Sequence, residues 1–171
     1  MLISVKFSIL FVLMLGLVFI ILYGEKYEDK GAKGKNAAEK EISEMIIAME
    51  RSELDRWGKG DPWGVIADTN TEVTYFDPSL ERRLDGLEDF RKLMASVEGK
   101  IKIERYKMIN PKVQVHGDIA VLTFNLIDFV PTQEGNTKEV HWNSTEVFCR
   151  IEGKWQRIHN HWSYTKPKIQ E

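Results

Sequence analysis

The sequence predicts an α+β domain in which a cone-shaped, curved antiparallel sheet carries helices on its concave side. Three observations lead there. Two stretches before residue 100 place apolar residues at three- and four-residue steps, as helices do. Almost everything after residue 100 is rich in β-branched and aromatic residues. Glycine-containing turns, Gly117-Asp118 and Glu152-Gly153, punctuate that second half. Helices first and consecutive antiparallel strands afterwards give a layered α+β domain. A chain of 171 residues holds one such core.

The elements follow in order. Phe7 to Gly24 (FSILFVLMLGLVFIILYG) contains no charge and is close to the length that crosses a bilayer as a helix. No A-x-A-like cleavage site follows it, and no cysteine stands at its end. Residues 1–24 therefore read as an uncleaved signal-anchor or, alternatively, a signal peptide. The protein is expected to be held at a membrane through residues 7–24, or secreted or periplasmic. Residues 25–36 are polar and rich in Gly and Lys, a linker, and the domain is expected over 37–171. Ile42, Met45, Ile46, Met49 and Leu54 mark the first helix, which should end at Gly58 and Gly60. Asp61-Pro62 caps and opens a short helix through Trp63 to Ala67. TEVTYF is a strand closed by Asp77-Pro78. Gly86 to Val97 is a second amphipathic helix with Leu87, Phe90, Leu93 and Met94 on one stripe, ended by Gly99. Strands then follow as IKIERYKMI, residues 112–115, DIAVLTFNLIDFV, EVHWNSTEVFCRI and KWQRIHNHWSYT.

Composition narrows the function. A net charge of −2, with Lys and Arg scattered among acids, leaves no basic footprint for nucleic acid. The only cysteine, Cys149, allows no intrachain disulfide and no cysteine-based zinc site. His159 and His161 share a strand face, with His141 on the neighbouring strand. A hydrogen-bonding network or an oligomer contact on the outer sheet face explains them without a metal, and no metal or cofactor is expected.

The last hairpin decides which side chains face inward. A two-residue type I′ turn at Glu152-Gly153 needs φ > 0 at both positions, which Glu tolerates poorly. A three-residue loop with Gly153 as the left-handed residue suits the sequence better. On that parity Trp142, Ser144, Glu146, Phe148, Ile158, Asn160 and Trp162 share one face. His141, Asn143, Thr145, Arg157, His159 and His161 share the other. Glu146, walled by aromatics, would be desolvated and able to shuttle a proton, or else would pair with an arginine. Asp77 is a second acid, beside Tyr75, at a strand end where ordinary Asp-Pro turn chemistry is the alternative.

The order of elements and several motifs resemble the nuclear transport factor 2-like (cystatin-like) superfamily. GKGDPWGVIADTNTEVTYFDP and LDGLEDFRKL look like its opening and its second-helix entry. MINPKVQVHGDIAVLTF and TEVFCRIEGKWQRIHNHWS are similar to the association domain of calcium/calmodulin-dependent protein kinase II and to SnoaL-like, DUF4440-type proteins. The resemblance implies a small-molecule-binding or assembly domain, a homodimer or higher homo-oligomer, with a pocket walled by Trp63, Tyr75, Trp142, Ser144, Asn160 and Trp162. Where the kinase domain lines its pocket with arginines, this chain has Glu146 and Trp162, which implies a neutral, apolar or cationic ligand. A further resemblance, to ketosteroid isomerase, implies the alternative of an isomerase or cyclase with Asp77 as general base and Glu146 as acid. Glu53 falls where that enzyme has a tyrosine, a role a glutamate plays only when protonated.

Overall fold

The structure, a computed structural model, describes residues 36–166 together with residue 34. The chain divides into two compact units, Met1–Glu41 and Ile42–Glu171. Of the first, the described residues are helical; the expected anchor at 1–24 and nearly all of the linker at 25–36 lie outside the described residues. Among the described residues no helix is long and apolar enough to cross a membrane.

Helix α1 spans residues 36–57, and Gly58 to Gly60 turn the chain out of it. Helix α2 (Trp63–Ala67) begins where Asp61 Oδ1 accepts from the Trp63 N–H at 3.0 Å. Strand β1 (Thr69–Phe76) follows, then a two-residue strand β2 (Leu84–Asp85) that the sequence does not announce. Helix α3 (Leu87–Val97) is entered through Gly86, at φ 88°. Four long strands complete the domain: β3 (Arg105–His116), β4 (Ile119–Pro131), β5 (Thr137–Ile151) and β6 (Lys154–Tyr164).

The six strands form one sheet in the order β2-β1-β6-β5-β4-β3. Every pair is antiparallel except β1 and β6, which run parallel because the whole intervening domain serves as their crossover. Residues 101–104 are not strand, and the two stretches expected at 101–109 and 112–115 belong to one strand. A register shift between Ile109 and Lys112 bends it at Asn110-Pro111, which its edge position tolerates.

The inner sheet face packs in two groups. Ile46 and Leu54 of α1 meet Leu122, Phe124, Leu126 and Phe148 of the long strands. Ile66 of α2 and Phe90 and Met94 of α3 meet Val73 and Tyr75 of β1.

The β5–β6 hairpin corrects the sequence reading twice. Ile151 pairs with Lys154, so the loop has two residues, and both have positive φ, 50° at Glu152 and 79° at Gly153. The type I′ turn is adopted after all, because its twist matches that of the strands. A bulge then intervenes: Val147 pairs with His159 but Phe148 pairs with Arg157, leaving Ile158 as the extra residue on β6. The two departures cancel beyond the bulge, so Glu146 opposes Asn160 and Ser144 opposes Trp162, as expected. Between bulge and turn they do not cancel. Trp155 and Arg157 turn inward, and Arg157, expected on the outer face, is fully buried.

Candidate functional site

The inner face carries an ion cluster centred on Arg157. Its Nε donates to Glu146 Oε2 at 2.9 Å, and its Nη2 to Glu53 Oε2 at 2.7 Å and Glu50 Oε2 at 3.2 Å. Its Nη1 donates to the Val65 carbonyl at 3.3 Å and Thr69 Oγ1 at 3.5 Å. The Phe148 ring lies 5.2 Å from the guanidinium carbon. Burial alone would pull this guanidinium down, but Glu146, Glu53 and Glu50 more than offset it and its pKa rises. Arg157 stays charged.

Three carboxylates thus share one cation. Burial, then the neighbouring Glu146 and Glu53, hold Glu50 well above the usual carboxylate range. Burial pushes Glu53 up to about 7 against the opposing pull of Arg157, with Glu146 adding to the rise. Both shifts run upward because one guanidinium is shared among three buried carboxyls, so ionising all of them at once is unfavourable.

Beside the cluster lies a cavity of about 100 Å³, with Glu50, Glu53, Trp57, Tyr75, Asp77, Phe90, Asp128, Trp142, Asn160 and Trp162 among its lining residues. That is room for several waters or about one ring. Trp142 and Trp162 stand edge to face, 6.1 Å between centroids and 88° between planes. Trp142 Nε1 donates to Asp128 Oδ2 at 3.0 Å, and burial pushes Asp128 up to about 6 against that bond. Asp77 holds its own turn: Oδ1 accepts from the Ser79 N–H at 2.8 Å and from the Ser79 hydroxyl, and Oδ2 from the Tyr75 hydroxyl at 3.2 Å. Tyr75, buried and next to Asp77, is pushed well above the usual phenol range and stays a donor.

The structure therefore brings Tyr75, Asp77, Trp142, Asn160 and Trp162 to one cavity and leaves Trp63, Ser144 and Glu146 out of its lining. Trp63 points elsewhere, its Nε1 donating to Glu98 at 2.7 Å. Ser144 is buried and its Oγ donates to Glu146 Oε1 at 3.4 Å. Glu146 is fully buried but paired with Arg157, not isolated among aromatics, and that pairing removes the ground for an acid role. His159 and His161 lie on the opposite face: His159 Nδ1 is 2.7 Å from Thr74 Oγ1, and the His161 ring packs on Phe76. His141 is exposed, with Glu139 at 2.9 Å.

Residues 41–166 match the model of the calcium/calmodulin-dependent protein kinase II association domain. The chain belongs to that family. A ketosteroid isomerase-like protein of Parabacteroides distasonis shares 40% identity, with TM-score 0.65 over 74% of this chain and 89% of its own. The association domain of the Caenorhabditis elegans kinase shares 23% identity, with TM-score 0.64 over 74% of this chain and 98% of that one. An NTF2-like protein of unknown function from Pseudomonas putida shares 24%, with TM-score 0.61 over 75% and 87%. No curated protein matches. The fold is the NTF2-like, cystatin-like α+β fold that the sequence predicts.

Proposed function

We propose that this member of the association-domain family is a ligand-binding and assembly module. The observation that carries the ligand-binding part is the cavity itself, walled by Trp57, Phe90, Trp142 and Trp162, with buried polar groups converging on it. The assembly part rests on family membership and on the outer sheet face, where Phe76 is 39% exposed beside His159 and His161. On this reading the apolar stretch at residues 7–24 tethers the module to a membrane or exports it. Tryptophan indole N–H signals test the ligand reading during a screen of small ring compounds. Compounds that shift Trp57, Trp142 and Trp162 while leaving Trp155 still support it; a screen that moves none of the three overturns it. Sedimentation velocity tests assembly, with a monomer as the contrary result.

A second reading, a small-molecule isomerase, is favoured by one observation. Asp77 and Glu53 line the same cavity, and Glu53, near pKa 7, is a carboxyl able to donate at neutral pH. The acid role expected of Glu146 passes to Glu53 in this reading. Conversion of a β,γ-unsaturated cyclic ketone to its conjugated isomer, followed in the ultraviolet, tests it. A rate equal to that of buffer sinks it.

A further inference from the structure

The cavity is one-sided in charge and in hydrogen bonding. Glu50, Glu53, Asp61, Asp77 and Asp128 line it, and among the described residues no lysine, arginine or histidine does. Asp61 is met by Arg56 at 2.8 Å outside, and Asp77 by its own turn. Arg157 faces this interior with every N–H already engaged by the glutamates, Val65 and Thr69.

Among the described residues, three buried acceptor oxygens on three different elements receive no donor from the protein: Glu53 Oε1 on α1, Asp128 Oδ1 on β4 and Asn160 Oδ1 on β6. All three residues line the cavity, and Asp128 and Asn160 are only 6% and 3% exposed. Buried acceptors of this kind are rare because leaving them unpaired is unfavourable. The partner oxygens of the two carboxyls are engaged, Glu53 Oε2 by Arg157 and Asp128 Oδ2 by Trp142, so both side chains are held in place. What the described lining lacks is positive charge. What surrounds that gap is aromatic, and a cation over Trp142 or Trp162 is attracted by the ring faces. An inorganic ion is a poor fit: among the described residues no cluster of ligating side chains is close enough to hold one.

We propose that the cavity binds a small organic cation, an aryl- or arylalkyl-ammonium or amidinium, whose flat body packs against the aromatic wall and whose N–H groups meet Asp128, Asn160 and Glu53. The inference rests on the ligand-binding reading above and names its ligand class. A neutral alcohol of the same shape supplies one donor but no charge. An aryl carboxylate brings a further acceptor to a site that already has too many.

The test is isothermal titration of the full chain in a neutral detergent with three probes of one shape: benzamidinium, benzyl alcohol and benzoate. Benzamidinium is expected to bind at least tenfold more tightly than benzyl alcohol, with no measurable uptake of benzoate. Asp128→Asn keeps the acceptor for Trp142 and should weaken benzamidinium about tenfold while leaving benzyl alcohol unchanged. Asn160→Ala should weaken benzamidinium by a smaller factor, and serves if Asp128→Asn does not fold. Benzyl alcohol or benzoate binding as well as benzamidinium overturns the cation while the pocket stands. So does undiminished benzamidinium affinity in both variants. If no probe binds and the Trp142 and Trp162 indoles do not move, the ligand-binding reading falls with it.

Discussion

Arg157→Met removes the one cation from a cluster in which Glu146, Glu50 and Glu53 are 0%, 2% and 9% exposed. Methionine fills much of the same volume, so the change is electrostatic before it is steric. Removing one partner of a buried pair costs roughly 3–5 kcal/mol, and here three carboxylates lose their partner at once. Against a whole-domain stability of about 5–15 kcal/mol, the variant at pH 8 should sit near its unfolding midpoint. The sign of the pH dependence follows from the direction of the shifts. Folded-state pKa values above the unfolded ones give stability that is full below the unfolded carboxyl range and lost as pH rises through the folded values. The variant raises them further, so its deficit is greatest at pH 8 and shrinks toward pH 5. Urea unfolding followed by near-ultraviolet circular dichroism at the two pH values measures it. Adding Glu146→Leu to Arg157→Met should recover part of the loss, because a charge no longer has to be buried alone. A deficit under about 1 kcal/mol at pH 8, or one equal at both pH values, would mean that the buried carboxyls do not depend on Arg157.

Glu53→Gln should flatten the pH dependence of the parent protein, which loses stability between about pH 4.5 and 7, by roughly 3 kcal/mol at most for a shift from 4.5 to about 7; parallel denaturation curves across that window check it. Glu152→Asn should stabilise the β5–β6 hairpin by up to about 1 kcal/mol, because Asn adopts the φ of 50° more readily than Glu, and thermal unfolding reads the gain. Gly60→Ala should destabilise by about 1 kcal/mol or more: Gly60 has φ 81°, and a Cβ there would stand 3.2 Å from Gly99 Cα and from the Ile101 carbonyl. Urea midpoints measure that change.

Much of the fold is legible in periodicity. The helical stripe of Ile46 and Leu54, the Asp61 side chain receiving the Trp63 N–H, the β-branched run of β1 and the alternation of β4 all lie where pattern places them. Arg157 is misplaced by parity reasoning because two local events oppose each other. The turn is set by strand twist rather than by the φ preference of Glu152, and the bulge at Ile158 is invisible to alternation. The acids of the cluster did leave a signal. Glu50 and Glu53 follow Ile46 at four and seven residues, on the buried stripe of α1, and two acids in core positions call for a buried cation. Asp128 likewise continues the inward series of Leu122, Phe124 and Leu126. Reading polar residues at apolar positions as partners would have assembled most of the site.

An acid-rich cavity, short of positive charge, lies on the inner face of the sheet. Carboxyl carbon NMR titration of Glu53 and Asp128, in the free protein and saturated with benzamidinium, tests it most directly. Midpoints of about 7 and about 6 are expected in the free protein. Both should fall when the cation is bound, because a positive charge favours the ionised form. Midpoints in the ordinary carboxylate range, unmoved by the probe, would contradict it.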